Sequence, residues 1–216
     1  MECTAQVAAL LGRMRRERNG AVADAMRFHG RPYGLNYGVS LPTVRQIARA
    51  EGHDAALARL LWMQQVRELQ LAALHIAAPE QFTPETAAFW ADGIRNSELA
   101  EEAAFALLSR APRFAALFPG WVTAEDPLLR YAALLGAARS ARLTPEWIEP
   151  ALTAVRTANP AEARLVAQGA VALLEAIGRR NETDRQAVLR AADPLETSPL
   201  PAEAWVQEEL SWRLAR

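Results

Sequence analysis

The feature that most constrains the fold is a set of Ala/Leu-rich elements that recur along the chain at a nearly constant distance. Three elements occur twice: the helix-like segments 67–78 and 130–141, the motifs Phe82-Thr83-Pro84-Glu85 and Leu143-Thr144-Pro145-Glu146, and the segments 103–108 and 169–174. Their offsets are 63, 61 and 66 residues. Two helix pairs of about 31–33 residues each would give this spacing, which is near the short end of known helical repeats.

Three short motifs along the chain have the features of a helix N-terminus. Ser40-Leu41-Pro42, Thr83-Pro84-Glu85 and Thr144-Pro145-Glu146 each place a capping hydroxyl before a proline, which is tolerated in the first helical turn. Hydrophobic residues make up 51% of the chain and are mostly Ala and Leu, which favour helices. We therefore predict an all-α fold, an α-solenoid of about six antiparallel helix pairs. The prediction is one domain over residues 1–216, with a C-terminal capping helix at 202–214.

Composition excludes several classes of protein. No apolar run approaches the roughly 20 residues that a membrane span requires. Met1-Glu2-Cys3-Thr4 does not open a signal peptide, and the single cysteine cannot form an internal disulfide. These features indicate a cytoplasmic protein, which we expect to be a monomer. No Cys/His spacing indicates a metal site, and we expect no cofactor.

The net charge of −1 argues mildly against nucleic acid as a partner. A basic patch can nevertheless exist on a chain of balanced charge. All 24 basic residues are arginines, and arginine is the better partner for phosphate.

The block from Asn19 to Ala48 carries a family resemblance. Within it, residues 35–48 read Leu-Asn-Tyr-Gly-Val-Ser-Leu-Pro-Thr-Val-Arg-Gln-Ile-Ala, and Val66-Arg67-Glu68 follows at a matching distance. This arrangement resembles the DNA alkylation repair proteins over about Arg13 to Arg180. The resemblance implies a curved array of HEAT-like helix pairs and duplex DNA as the partner. Some members of the family cut the bond between deoxyribose and a methylated purine.

The resemblance also identifies candidate site residues. Family glycosylases carry Trp-x-x-x-Asp at a helix start, where the Asp is catalytic. Here Ser97 stands in place of the Trp and Glu101 in place of the Asp. A later Arg-Arg pair of the family reads Arg130-Tyr131, and a further Trp and Arg would fall near Ala170 and Leu173. The resemblance thus implies Glu101 as the catalytic carboxylate, with Ser97, Arg130 and Tyr131 beside the nucleic acid.

Helix geometry gives a separate view of Glu101. Leu99, Ala103, Ala106 and Leu107 share one face, which we predict to be the core face. The opposite face is then small and partly apolar, as a binding site in a groove would be, and it consists of Ser97, Glu101, Ala104 and Leu108. A carboxylate there could stabilise the positive charge that develops on the sugar as a cationic alkylpurine leaves. The alternative is an ordinary solvated Glu among Glu98, Glu101 and Glu102.

Two sets of arginines are candidates for phosphate contacts. Arg67 and Arg130 begin echoed helices, so they are predicted to project from one face of successive repeats onto a duplex backbone. The alternative is a structural arginine that pairs with a neighbouring carboxylate between repeats. Arg13, Arg15, Arg16 and Arg18 could also follow phosphates, or they could form a solvated helix face.

Two functions remain open at this point. The first is a DNA-binding protein of the alkylation repair family, with weak glycosylase activity on cationic N3- or N7-alkylpurines. The second is a non-enzymatic HEAT-like scaffold that binds a protein partner or structured nucleic acid on its concave face. The family resemblance of the block from Asn19 to Ala48 and the acidic residue Glu101 favour the first function. The nearly neutral net charge and the replacement of the family's other site residues favour the second.

Overall fold

The computed structural model describes residues 2–29 and 33–215, and this part of the chain is all-helical. Its α-helices are α1 (Glu2–Arg16), α2 (Gly20–Phe28), α3 (Leu41–Arg49), α4 (Ala55–Trp62), α5 (Arg67–Ile76), α6 (Pro84–Ala91), α7 (Ser97–Ala106), α8 (Phe114–Val122), α9 (Pro127–Ala138), α10 (Ile148–Arg156), α11 (Ala163–Gly178), α12 (Glu182–Ala192) and α13 (Pro201–Leu214). Short 3₁₀ turns lie at Pro79–Gln81, Leu108–Arg110, Pro145–Trp147 and Asp193–Thr197. The prediction of an all-α chain is confirmed.

Side-chain caps explain where several helices begin. The Ser40 hydroxyl accepts a hydrogen bond from the Thr43 N–H at 3.3 Å at the start of α3. The Thr86 hydroxyl accepts from the Thr83 N–H at 2.9 Å at the start of α6. Asp126 caps α9 by accepting from the Leu128 N–H at 2.8 Å. Because Asp126-Pro127 begins α9, Arg130, the start of the recurring segment 130–141, is the fourth residue of this helix.

Contacts between backbones divide the chain into two units, residues 1–102 and 103–216. In the first unit, α5 is the central helix. All ten of its residues are buried, and α3 and α4 pack against it. An entirely buried helix is expected to be apolar, so the polar residues at its start, Arg67, Glu68 and Gln70, require partners inside the protein.

In the second unit, α11 is the central helix, and α9, α10, α12 and α13 pack against it. The helices α9 and α11 approach closely because Gly169 has no side chain. A Cβ atom at this position would lie 3.0 Å from the Leu134 Cβ and 3.1 Å from the Tyr131 ring. The C-terminal helix α13 agrees with the predicted segment 202–214 to within one residue.

The segment 33–39 leads into α3 without regular structure. Leu35 pairs with Val66 in an isolated parallel bridge, in which the Leu35 N–H donates to the Gln65 carbonyl and the Arg67 N–H donates to the Leu35 carbonyl, each at 2.8 Å. Gly38 has a φ of +70°, and a Cβ atom there would lie 2.0 Å from the Asn19 carbonyl oxygen. Glycine is therefore required at this position. This bridge and this glycine hold the segment against α2 and α5.

Within the described residues, none of the helices combines the length and apolar character needed to span a membrane.

Candidate nucleic-acid interface

Arg67 lies at the centre of a buried ionic network in the first unit. Only 1% of the residue is exposed. Its Nε and Nη2 atoms donate to the two carboxylate oxygens of Glu98 at 2.8 and 2.6 Å. Its Nη1 atom donates to the Val39 carbonyl at 2.8 Å and to Glu68 at 3.2 Å. The guanidinium therefore has acceptors on three sides, and this bidentate geometry is the strongest that arginine forms with a carboxylate.

The carboxylates of this network also fasten the segment 33–39. The Tyr33 hydroxyl donates to Glu98 at 2.6 Å, and Glu68 accepts from the backbone N–H groups of Tyr37 and Val39 at 3.1 and 3.2 Å. Burial, followed by the charge of Glu98, raises the pKa of Tyr33 far above its ordinary value. Burial alone would lower the pKa of Arg67, but Glu98, Glu68 and Tyr33 outweigh it and raise the pKa. Arg67 is thus a permanent cation enclosed by the protein.

The predicted groove-facing position of Arg67 is wrong, and the alternative of a structural arginine describes what the structure contains. The physical reason is local. Arg67 is the first residue of α5, directly after Val66, whereas Arg130 is the fourth residue of α9. The two arginines therefore occupy different turns of their helices and do not project equivalently, although their segments look alike in sequence.

Arg130 is partly exposed and binds the end of a neighbouring helix in the second unit. Its Nη1 atom donates to the Ala154 carbonyl and to the Thr157 hydroxyl, each at 3.0 Å, and its Nε atom donates to the Ala124 carbonyl. A cation at the carbonyl end of α10 is favoured by the helix dipole. Tyr131 is buried, with 7% of its surface exposed, and its ring lies beside Gly169 of α11. Both residues thus have structural contacts within this unit, and their predicted role at nucleic acid stays a prediction.

Glu101 and Ser97 lie one turn apart on α7. Glu101 is exposed and Ser97 is half-buried. The predicted core face of α7 is confirmed, since Leu99, Ala103, Ala106 and Leu107 are buried. Ala104 and Leu108 are buried as well, so the predicted small apolar face around Glu101 does not exist in that form. The Glu101 residue is exposed to solvent, and its predicted catalytic role stays a prediction.

A second buried acid on α7, Glu102, was not recognised from the sequence. Only 2% of it is exposed. Arg45 binds it bidentately, with Nε–Oε1 and Nη2–Oε2 distances of 2.8 and 2.6 Å, and the His75 Nε2 atom contacts the same carboxylate. Burial alone would raise the pKa of Glu102, but the hydrogen bonds from Arg45 and His75 outweigh it and lower the pKa to about 2.

The sequence contained a signal for these two buried acids. Glu98 and Glu102 are four residues apart, so they share one side of α7, and Ala106 continues that side as a buried residue. From the sequence, only solvation is considered for these carboxylates. Solvation does not account for an acid repeated at the helical period beside core alanines.

Exposed arginines cluster instead near the N-terminus of the first unit. Arg15, Arg16, Arg18 and Arg49 are exposed, and none of them forms an ion pair with another described residue. The last turn of α1 lies beside the end of α3, because Arg13 pairs with Glu51. The Arg15 guanidinium lies 5.9 Å from the centre of the Tyr37 ring. We call Arg15, Arg16, Arg18 and Arg49 the N-terminal basic surface.

Comparisons with known proteins identify a family that this chain matches and a solved structure of similar fold. Residues 10–200 match the family model described as "DNA alkylation repair enzyme". One similar solved structure is described as "A new family of proteins related to the HEAT-like repeat DNA glycosylases with affinity for branched DNA structures". It has a TM-score of 0.74 and 15% sequence identity, and the match covers 96% of this chain and 95% of that chain. This likeness confirms the predicted HEAT-like helical fold. No curated protein shows significant similarity to the chain. Because the family model spans most of its length, the chain belongs to the DNA alkylation repair enzyme family.

Proposed function

We propose that this protein binds DNA through its N-terminal basic surface, prefers branched DNA to linear duplex, and excises alkylated bases weakly or not at all. The observation that carries the proposal is the uneven distribution of charge. Residues 1–49 contain eight arginines and three acidic residues, a net charge of +5, although the whole chain has a net charge of −1. Segregated positive charge is the electrostatic signature of a nucleic-acid surface.

The side chains of the basic surface are available for this role. Arg15, Arg16, Arg18 and Arg49 are exposed and have no carboxylate partner among the described residues. Arg67, by contrast, could reach a phosphate only by leaving Glu98 and Glu68. Contacts from unpaired arginines to phosphates release counterions and make binding strongly dependent on salt.

The preference for branched DNA is supported by the solved structure of similar fold, whose protein is described as having affinity for such DNA. It also agrees with the second function predicted from the sequence, a scaffold for structured nucleic acid.

Weak or absent excision is supported by the surroundings of Glu101. A carboxylate stabilises a developing cation best where water is excluded and the local dielectric constant is low. Glu101 is exposed, Ser97 offers no aromatic wall, and the residues that align with further site residues, Ala170 and Leu173, are fully buried apolar side chains.

Fluorescence anisotropy with a labelled four-way junction and a linear duplex of the same length tests the proposal, with salt varied between about 50 and 200 mM. We expect tighter binding to the junction and a steep loss of affinity with salt. A variant with Arg15, Arg16, Arg18 and Arg49 all changed to Ala is expected to bind both DNAs more weakly. Its slope of log K against log salt should be smaller by up to about 3–4.

The matched control changes the same number of charges in the second unit. Arg110, Arg113, Arg142 and Arg190 are exposed and form no ion pair with a described residue, and their change to Ala should leave binding nearly unaltered. Equal losses in the two variants would overturn the assignment of the surface. A wild-type protein that binds neither DNA at low salt would overturn the function itself and favour the scaffold for a protein partner.

A further inference from the structure

A pocket of about 480 Å³ opens in the first unit, separate from the N-terminal basic surface and from Glu101. It lies where α4 and α6 end and where α5 and α7 begin. Its lining includes Tyr33, Trp62, Met63, Gln65, Phe89 and Arg95. A volume of this size is typical of sites that hold a small molecule or one group of a larger ligand.

The aromatic wall of the pocket is fixed in place. The Trp62 indole N–H donates to the Phe89 carbonyl at 3.2 Å, and its ring packs against Trp90 with the centres 5.4 Å apart. Gly93 leaves room for this ring, because a Cβ atom at residue 93 would lie 2.2 Å from the indole. The Tyr33 hydroxyl is held by Glu98 and Asn96 at 2.6 and 3.2 Å. Trp62 is only 3% exposed, and the Arg59 guanidinium lies 4.1 Å from the centre of the Phe89 ring. A ligand would thus meet chiefly the half-buried rings of Tyr33 and Phe89, held on the fixed Trp62 indole.

The polar groups of the pocket are mixed in character. Gln65 and Gln70 contribute side-chain amides, and Asp92 and Arg95 contribute one charge of each sign. Amides both donate and accept hydrogen bonds, so they match the edges of nucleobases. Arg95 is exposed and has no ion pair with another described residue. The Gln70 amide already donates to the Trp62 carbonyl at 3.4 Å, so the exposed Gln65 is the amide that is available to a ligand. An isolated phosphate would be repelled by Asp92, and a purely apolar ligand would make no use of Gln65.

From these features we propose that the pocket, which we call the Trp62 pocket, holds an unpaired nucleobase of a DNA strand, with Arg95 near an adjoining phosphate. Aromatic side chains bind unpaired bases by stacking, and this mode tolerates any base. Branched DNA contains strands that can expose such bases. The inference rests on the proposed DNA-binding function and names the feature of the DNA that this unit recognises.

The position of the pocket relative to the basic surface supports this assignment. The segment 33–39 connects the two, since the ring of Tyr37 lies next to Arg15 and Tyr33 lines the pocket. Only a few residues of the chain therefore separate the pocket from the basic surface on which a DNA backbone would bind, and both lie in the same unit.

The test uses a short duplex that carries one bulged 2-aminopurine, compared with the same duplex fully paired. We expect the wild-type protein to bind the bulged duplex about ten-fold more tightly, within the range of stacking one base on an aromatic side chain. We also expect the 2-aminopurine fluorescence to be quenched on binding. The double variant Met63→Ala/Gln65→Ala changes two exposed lining residues and should lose most of this preference and the quenching, with little change in its affinity for the paired duplex.

The matched control is Leu60→Ala/Gln64→Ala, which removes the same kinds of side chain nearby but outside the lining. It should retain the preference. If the wild-type protein binds both duplexes equally and does not quench the bulged base, the pocket inference is wrong while DNA binding stands.

A second measurement separates the pocket from the DNA-binding function. Free dAMP at millimolar concentration should shift the indole N–H resonance of Trp62, assigned with Trp62→Phe, in the wild-type protein and in the control variant. The shift should be absent in Met63→Ala/Gln65→Ala. If the protein binds no duplex, a saturable shift still supports the pocket, and the absence of a shift overturns it.

Discussion

Replacement of Arg67 by Met is the sharpest test of the buried network. Methionine keeps much of the side-chain volume, so the change mainly removes charge. The Glu98 and Glu68 carboxylates, which are 7% and 0% exposed, lose the three hydrogen bonds that Arg67 donates to them. The Val39 carbonyl loses a fourth. Breaking a buried ion pair from one side typically costs about 3–5 kcal/mol. The residual bonds from Tyr33 to Glu98 and from the backbone to Glu68 keep the expected loss within that range.

Urea denaturation followed by tryptophan fluorescence measures this loss as a lower free energy of unfolding. In a chain of this length each kcal/mol corresponds to about 2–4 °C in Tm, so thermal unfolding should begin roughly 10 °C lower. Arg49→Met is the matched control, because Arg49 is exposed and such changes usually alter stability by less than about 0.5 kcal/mol.

A double-mutant cycle distinguishes unpaired charge from lost packing. Glu98→Gln removes the partner charge and keeps an acceptor for the Tyr33 hydroxyl. The double variant Arg67→Met/Glu98→Gln should be clearly more stable than the sum of the two single changes predicts, because it no longer contains a buried unpaired carboxylate at residue 98. If Arg67→Met costs less than about 1 kcal/mol and instead weakens DNA binding, the buried-network reasoning is refuted and the groove-facing prediction is restored.

Two further predictions concern the other carboxylates of α7. The pKa of Glu102 is about 2 in the folded protein, against an ordinary value of 4.5, so its stabilisation is fully present above pH 4.5 and is lost as the pH falls towards 2. Glu102→Gln should therefore lower the free energy of unfolding at pH 7 by roughly 2–3 kcal/mol. Between pH 4.5 and 2 the free energy of unfolding should fall less steeply in this variant than in the wild type, as measured by urea denaturation at each pH. Glu101→Gln should leave stability within about 1 kcal/mol of wild type. Any slow release of 7-methylguanine from methylated duplex DNA should disappear in this variant, and excision that persists would show that Glu101 is not the catalytic residue.

The helical character of the chain and its family could be read from the sequence because they depend on local properties. Alanine and leucine favour helices, capped starts mark their ends, and the recurring elements indicate stacked helix pairs. The core face of α7 followed from its 3.6-residue period. The signature around Asn19 to Ala48 identified the family before any contact was known.

The roles of individual charged residues depended on tertiary contacts. Arg67 meets Glu98 across 31 positions and Glu98 meets Tyr33 across 65, and no local pattern specifies such pairs. Arg67 is the first residue of α5 whereas Arg130 is the fourth residue of α9, so the two arginines lie on different turns although their segments look alike in sequence. The Trp62 pocket likewise arises only where the ends of four helices meet the segment 33–39. Helices form from interactions between near neighbours, whereas burial of a charge and the walls of a pocket are set by residues that the folded chain brings together from distant positions.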